Sequence, residues 1–96
     1  MRRKLKYLVE VKETTMWDGK PGLYCRAIDF GQVYGDGHTW EEVCSMFQKC
    51  FDVMVNWLRE DGKDEQIVLP MYTFDNVPEK YRDCWIKEIE VDFTEI

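Results

Sequence analysis

A chain of 96 residues, 45% of them hydrophobic and 33% charged, has material for one compact core that buries about 60–65% of its unfolded surface, so residues 1–96 are expected to form a single domain. It contains no apolar run near the ~18–20 residues of a membrane span. Met1-Arg2-Arg3-Lys4 leads into charged, alternating sequence in place of a signal-peptide apolar region, so the expected compartment is the cytoplasm.

The net charge of −6 is unevenly spread, since residues 1–39 hold seven Lys and Arg against five Asp and Glu, and residues 40–96 hold six against fourteen. The acidic part repels phosphate backbones, which argues against direct nucleic-acid binding, and it steers association toward a basic protein. Solubility alone is the competing explanation of such a surface.

In chain order, the first predicted element is a strand near 4–13. Leu5, Tyr7, Val9 and Val11 form an apolar face, with Lys4, Lys6, Glu10 and Lys12 opposite. Turn residues Asp18, Gly19, Pro21 and Gly22 precede a strand near 22–30, apolar on both faces apart from Arg26 and Asp29 and therefore central. Gln32 to Tyr34, between Gly31 and the turn Gly35-Asp36-Gly37, has length for a short third strand. Thr39 and Glu42 form a capping box, opening a helix near 40–60 that Gly62 ends. Trp40, Val43, Phe47, Cys50, Met54 and Leu58 recur along it at helical spacing. Near 85–94, Ile89, Val91 and Phe93 alternate with Glu88, Glu90 and Asp92.

This order predicts an α+β fold: a small three- to four-stranded sheet with one long helix on one face. The helix also carries Cys44, Met46, Phe51, Val53, Val55 and Trp57, so it is apolar nearly all round and needs a cover on a second side. Two covers are open. One is the segment 70–85 with Met71, Tyr72, Phe74, Val77 and Tyr81; the other is a dimer mate or bound partner. Trp17, in the first loop, either anchors an interface or folds back onto the sheet.

The chemistry-bearing residues point away from catalysis. Cys25, Cys44, Cys50 and Cys84 form no C-x-x-C pair and read as buried thiols, not as a disulfide or metal scaffold. His38, the only histidine, lies in a turn before a helix cap with no nucleophile to activate. Gly31, Gly35 and Gly37 lack the G-K-[ST] ending of a phosphate loop, and Glu41-Glu42 would oppose an anion there. Glu88, Glu90 and Asp92 share one strand face but spread over about 13 Å, which suits a charge ladder with Lys4, Lys6 and Lys12 better than a two-metal cluster. No catalytic residue, metal or cofactor is expected.

A run of short motifs carries a family resemblance. Gly22-Leu23-Tyr24, Ala27-Ile28-Asp29-Phe30-Gly31, Gly35-Asp36-Gly37, Thr39-Trp40-Glu41-Glu42, Trp57-Leu58, Glu60-Asp61-Gly62, Pro70 and Ile89-Glu90-Val91-Asp92 together resemble the HicB-like antitoxin family across most of the chain. The resemblance implies a partial RNase H-like fold whose last strand lies parallel beside the first. It departs from the family in lacking both prolines of the turn at Ile28 to Gly31, and in stopping at Ile96 without the C-terminal DNA-binding module of many members. Operator binding is therefore not carried over.

What the resemblance implies is a non-enzymatic acidic module that neutralises a small basic RNA-cleaving toxin by covering its active face. The alternative is a phage-encoded inhibitor of a bacterial defence system that reuses the fold. In either case the partner is a basic protein, a homodimer stays open, and the candidate contact residues are Trp17, Trp57, Glu60, Asp61, Glu88, Glu90 and Asp92.

Overall fold

The computed structural model describes residues 2–94. Strands β1 (Arg2–Thr15), β2 (Pro21–Ala27) and β3 (Tyr34–Gly37) precede helix α1 (Trp40–Glu60), and β4 (Ile86–Thr94) closes the chain after two 3-10 turns, Asp64–Gln66 and Glu79–Tyr81. The architecture is the α+β arrangement expected, a four-stranded sheet in the order β3-β2-β1-β4 with one long helix on one face. No helix of the described residues is long and apolar enough to cross a membrane.

Alternation builds the core. Leu5, Tyr7, Val9 and Val11 of β1, Cys25 and Ala27 of β2, and Ile89, Val91 and Phe93 of β4 face Val43, Phe47, Phe51 and Val55 of α1, all of them buried. The four helix residues recur at i+4 and each contributes about 1.5–3 kcal/mol on burial. Tyr7 links the layers: its ring lies 5.7 Å from that of Phe51 and 6.4 Å from that of Phe47, and its hydroxyl donates to the Val68 carbonyl. Burial raises the Tyr7 pKa well above its ordinary value, so the phenol stays a donor.

The helix ends are set locally. Thr39 Oγ1 accepts from the Glu42 N–H at 3.2 Å, and Glu42 reaches back to the His38 N–H at 2.9 Å. At the other end Lys63 N–H bonds to the Leu58 carbonyl and Gly62 N–H to that of Arg59, a Schellman motif that Gly62 closes at φ 69°. The third strand sits later than expected, because Gly35 and Gly37 are strand residues under the helix and not a turn. A Cβ on Gly35 would stand 2.6 Å from the Val43 carbonyl oxygen and 2.9 Å from the Phe47 nitrogen.

A second expectation is overturned. The last strand runs antiparallel to the first, pairing Lys4 with Asp92, Tyr7 with Ile89 and Glu10 with Ile86. The helix returns the chain to the end of the sheet where β1 begins, and a short connection from there would indeed start a parallel strand. Residues 61–85 instead run back along the molecule. Val68 meets Tyr7, the Met71 N–H donates to Asp29 Oδ2, and the Trp85 carbonyl accepts from Val11, so β4 starts at the opposite end.

This return segment does not cover the back of the helix. Ile67 and Val68 join the core, and Cys84 settles against Glu10 on the face of the sheet away from α1, where Leu8 is only 1% exposed. Meanwhile Met46, Val53 and Trp57 stay exposed.

Replacing Gly35 by Ala should destabilise the domain by about 2–3 kcal/mol through overpacking against helix backbone. Gly31→Ala, with nothing within 4 Å of the new Cβ, should stay within about 0.5 kcal/mol of the parent. Urea unfolding of the two variants checks the difference.

Candidate functional site

α1 is seated directly on the edge strand β3, and the helix flank beside that edge stays exposed. Met46, Cys50, Val53 and Trp57 follow one another at spacings of four, three and four along that flank, which keeps them on a single stripe. Met46 is 44% exposed, Val53 55% and Trp57 65%. Between the stripe and β3 lies a cavity of about 310 Å³, bounded on the sheet side by Tyr34, Gly35 and Asp36 and on the helix side also by Lys49 and Met54. An aligned set of large exposed side chains beside a sheet edge marks an interaction surface more strongly than the same residues scattered.

The candidate residues from sequence fall in three separate places. Trp57 lies in the groove, with exposed Glu60 and Asp61 at the adjoining helix end. Trp17 stands 90% exposed in the β1–β2 hairpin and does not fold back onto the sheet. The hairpin meets the start of α1, so the length of the helix, about 30 Å, separates Trp17 from Trp57.

Glu88, Glu90 and Asp92 occupy the sheet face away from α1. There Lys4 pairs with Glu90 at 3.4 Å and Arg2 with Asp92 at 3.6 Å, a diagonal charge ladder. Lys12 lies beyond the start of β4 and pairs with Glu10 of its own strand at 3.8 Å. Among the described residues no three His, Cys, Asp or Glu side chains gather where they would hold a metal. Burial pushes the Cys25 thiol up to about 12, so this core cysteine stays protonated.

Sequence reasoning singled out Met46 and Val53 only as surplus apolar surface, and it missed Tyr34. The 46-50-53-57 spacing was the signal that separates them from the core stripe at 43-47-51-55.

His38 belongs to a different device. Its Nε2 lies 2.9 Å from Asp18 Oδ2, and its Nδ1 3.5 Å from Glu42 Oε2, fastening the Trp17 hairpin to the start of α1. The hydrogen bond to Asp18 raises the His38 pKa above its ordinary 6.5, and the same bond lowers the Asp18 pKa below its ordinary 3.8.

Comparison with protein families, curated proteins and solved structures finds no match for this chain.

The fastening of the hairpin should depend on pH in a defined window. A raised histidine pKa stabilises the folded state fully below 6.5 and loses that contribution as pH rises through the raised value. A lowered aspartate pKa stabilises above 3.8 and loses its contribution as pH falls through the lowered value. The clamp is therefore complete between these two pH values. Following the His38 ring protons by NMR, Asp18→Asn should bring the midpoint back toward 6.5, with the Glu42 contact retaining part of the shift.

Proposed function

We propose that the protein is a non-catalytic, stoichiometric binding module that covers part of a basic protein partner with the α1 stripe centred on Trp57. The carrying observation is the tryptophan itself, 65% exposed within an aligned apolar stripe beside an open groove. Tryptophan is the side chain most often found at the energetic centre of an interface, where a fully desolvated ring supplies on the order of 2 kcal/mol or more. Glu60 and Asp61, exposed at the adjacent helix end with Asp64 and Glu65 just beyond, supply the charge that speeds encounter with a basic surface.

The resemblance to HicB-like antitoxins adds the partner's class, a small basic RNA-cleaving toxin met in the cytoplasm and silenced by shielding of its active face. The antiparallel last strand removes the fold-level part of that resemblance, so the reading rests on the surface of α1 and its charge. Inhibition of a defence-system component would use the same surface and differ only in the protein covered.

The test uses the purified basic product of the adjacent reading frame. A stoichiometric complex should form and RNA cleavage by that product should stop. Trp57→Ala should weaken the complex by about 2 kcal/mol, roughly thirtyfold, while shifting the urea midpoint little, because the ring is already in solvent. Reversing Glu60 and Asp61 to Lys should slow association and flatten its salt dependence. Undiminished cleavage at excess protein overturns the reading. Incubated alone with RNA and Mg²⁺ or Mn²⁺, the protein should leave the RNA intact; cleavage abolished by joint alanine substitution of Glu88, Glu90 and Asp92 would show it to be a nuclease.

A further inference from the structure

We infer that the partner enters as an extended segment that adds a fifth strand to the β3 edge, its alternate side chains lodging under the α1 stripe; this rests on the binding reading above. A four-stranded open sheet has two edges, and here they are treated differently. The outer edge of β4 is occupied at its C-terminal end, Asp92 to Thr94. Gln48 of α1 accepts from the Asp92 N–H at 2.8 Å and donates to the Asp92 carbonyl at 3.1 Å, imitating the two hydrogen bonds of a neighbouring strand. Arg59 donates to the Thr94 carbonyl. A chain approaching β4 finds these groups already satisfied.

Among the described residues no side chain bonds the outward backbone of β3 itself; the nearest α1 contact is Cys50 Sγ, which donates to the Gln32 carbonyl two residues before the strand at 3.6 Å. Ala27 N–H bonds to the Val33 carbonyl at 3.0 Å, and with the pairs Cys25–Gly35 and Leu23–Gly37 following in register, alternation turns the N–H and C=O of Tyr34 and Asp36 away from β2. Among the described residues these groups make no further backbone hydrogen bond. Of the usual guards of an exposed edge, Tyr34-Gly35-Asp36-Gly37 has its shortness, four residues, and the charge of Asp36, but no lysine, proline or bulge.

The chemistry of the segment follows from the two faces it would meet. On the helix side β3 offers only Gly35 and Gly37, so the next strand's inward side chains enter the space bounded by Met46, Cys50, Val53 and Trp57 and should be apolar. On the other face Tyr34 and Asp36 lie beside Tyr24 and Arg26, and Lys or Arg on the added strand would meet the Asp36 carboxylate and the exposed Tyr34 ring. Alternating apolar and basic residues fit both. A second copy of this chain fits neither, because its β3 would bring glycines to the groove and another aspartate to the outer face.

The probe is a short peptide alternating isoleucine and lysine, with the same peptide N-methylated at every second amide as control. In NMR titrations the plain peptide should slow amide exchange at Tyr34 and Asp36 and shift Val53 and Trp57, and the methylated one should not. Asp36→Pro removes an outward N–H without touching the β2 ladder, so the fold should survive, and peptide affinity should fall roughly tenfold or more. Val53→Lys, on exposed surface, should do the same and serves if the proline variant fails to fold.

Absence of peptide binding, or shifts confined to α1 with Tyr34 and Asp36 exchange unchanged, overturns strand addition. So does a dimer of the protein alone that Asp36→Pro turns into a monomer, since a second copy would then hold the edge. Toxin binding that survives Asp36→Pro but is lost in Trp57→Ala discards the added strand and keeps the binding reading. Binding indifferent to both variants discards the reading itself.

Discussion

Where a Cβ on Gly35 would stand, the backbone of α1 already lies, with the Val43 carbonyl oxygen at 2.6 Å; at Gly37 the Glu42 side chain occupies the corresponding space at 2.5 Å. Any larger residue at these two positions would lift the helix, open the contacts of Phe47 and Phe51 with Tyr7, and move the 46-50-53-57 stripe away from the sheet edge. One close approach therefore fixes both the core spacing and the shape of the groove. It also explains why β3 is poor in side chains: its helix-facing positions have no volume to fill. The stripe remains uncovered because the helix has two apolar flanks and the small sheet packs against only one.

The local signals in this chain were readable because they act within a few residues. Thr39 and Glu42 opened the helix, Gly62 closed it, and period-two alternation located β1 and β4 near their observed bounds. The direction of β4 was not readable. It depends on where residues 61–85 run, and that path is held by Tyr7 to Val68, Asp29 to Met71 and Val11 to Trp85, long-range contacts without periodicity. The burial of Leu8 was hidden for the same reason, since it lies among Lys4, Lys6 and Glu10 on the face that alternation assigns to solvent. Gly35-Asp36-Gly37 misled in a different way: glycine there serves close packing, whereas composition alone reads it as a turn.

The candidate site was legible in part. Trp57 and the neighbouring acids could be singled out because a helix apolar all round leaves a face to explain. The difference between the two sheet edges could not, because Gln48 is separated from Asp92 by 44 positions and reads in sequence as an ordinary polar helix residue.

Placement in the fold also divides the acidic C-terminal part into two kinds of charge. Glu90 and Asp92 face Lys4 and Arg2 across the β1–β4 pairing, and exposed pairs of this kind contribute about 0–1 kcal/mol. Their consequence is mainly electrostatic: a carboxylate matched by a nearby cation projects little field toward a distant partner. Glu60, Asp61, Asp64 and Glu65 have Arg59 and Lys63 within the same stretch of chain and still leave an excess of negative charge where α1 ends. Steering charge therefore collects at the Trp57 end of the groove, while the hairpin end is organised by His38 and Asp18. On the binding reading proposed above, a basic partner drawn by this field would reach the aromatic ring before the rest of the stripe. On that reading encounter and burial would fall on adjacent residues of one surface, whereas the structure places the candidates named from sequence in three.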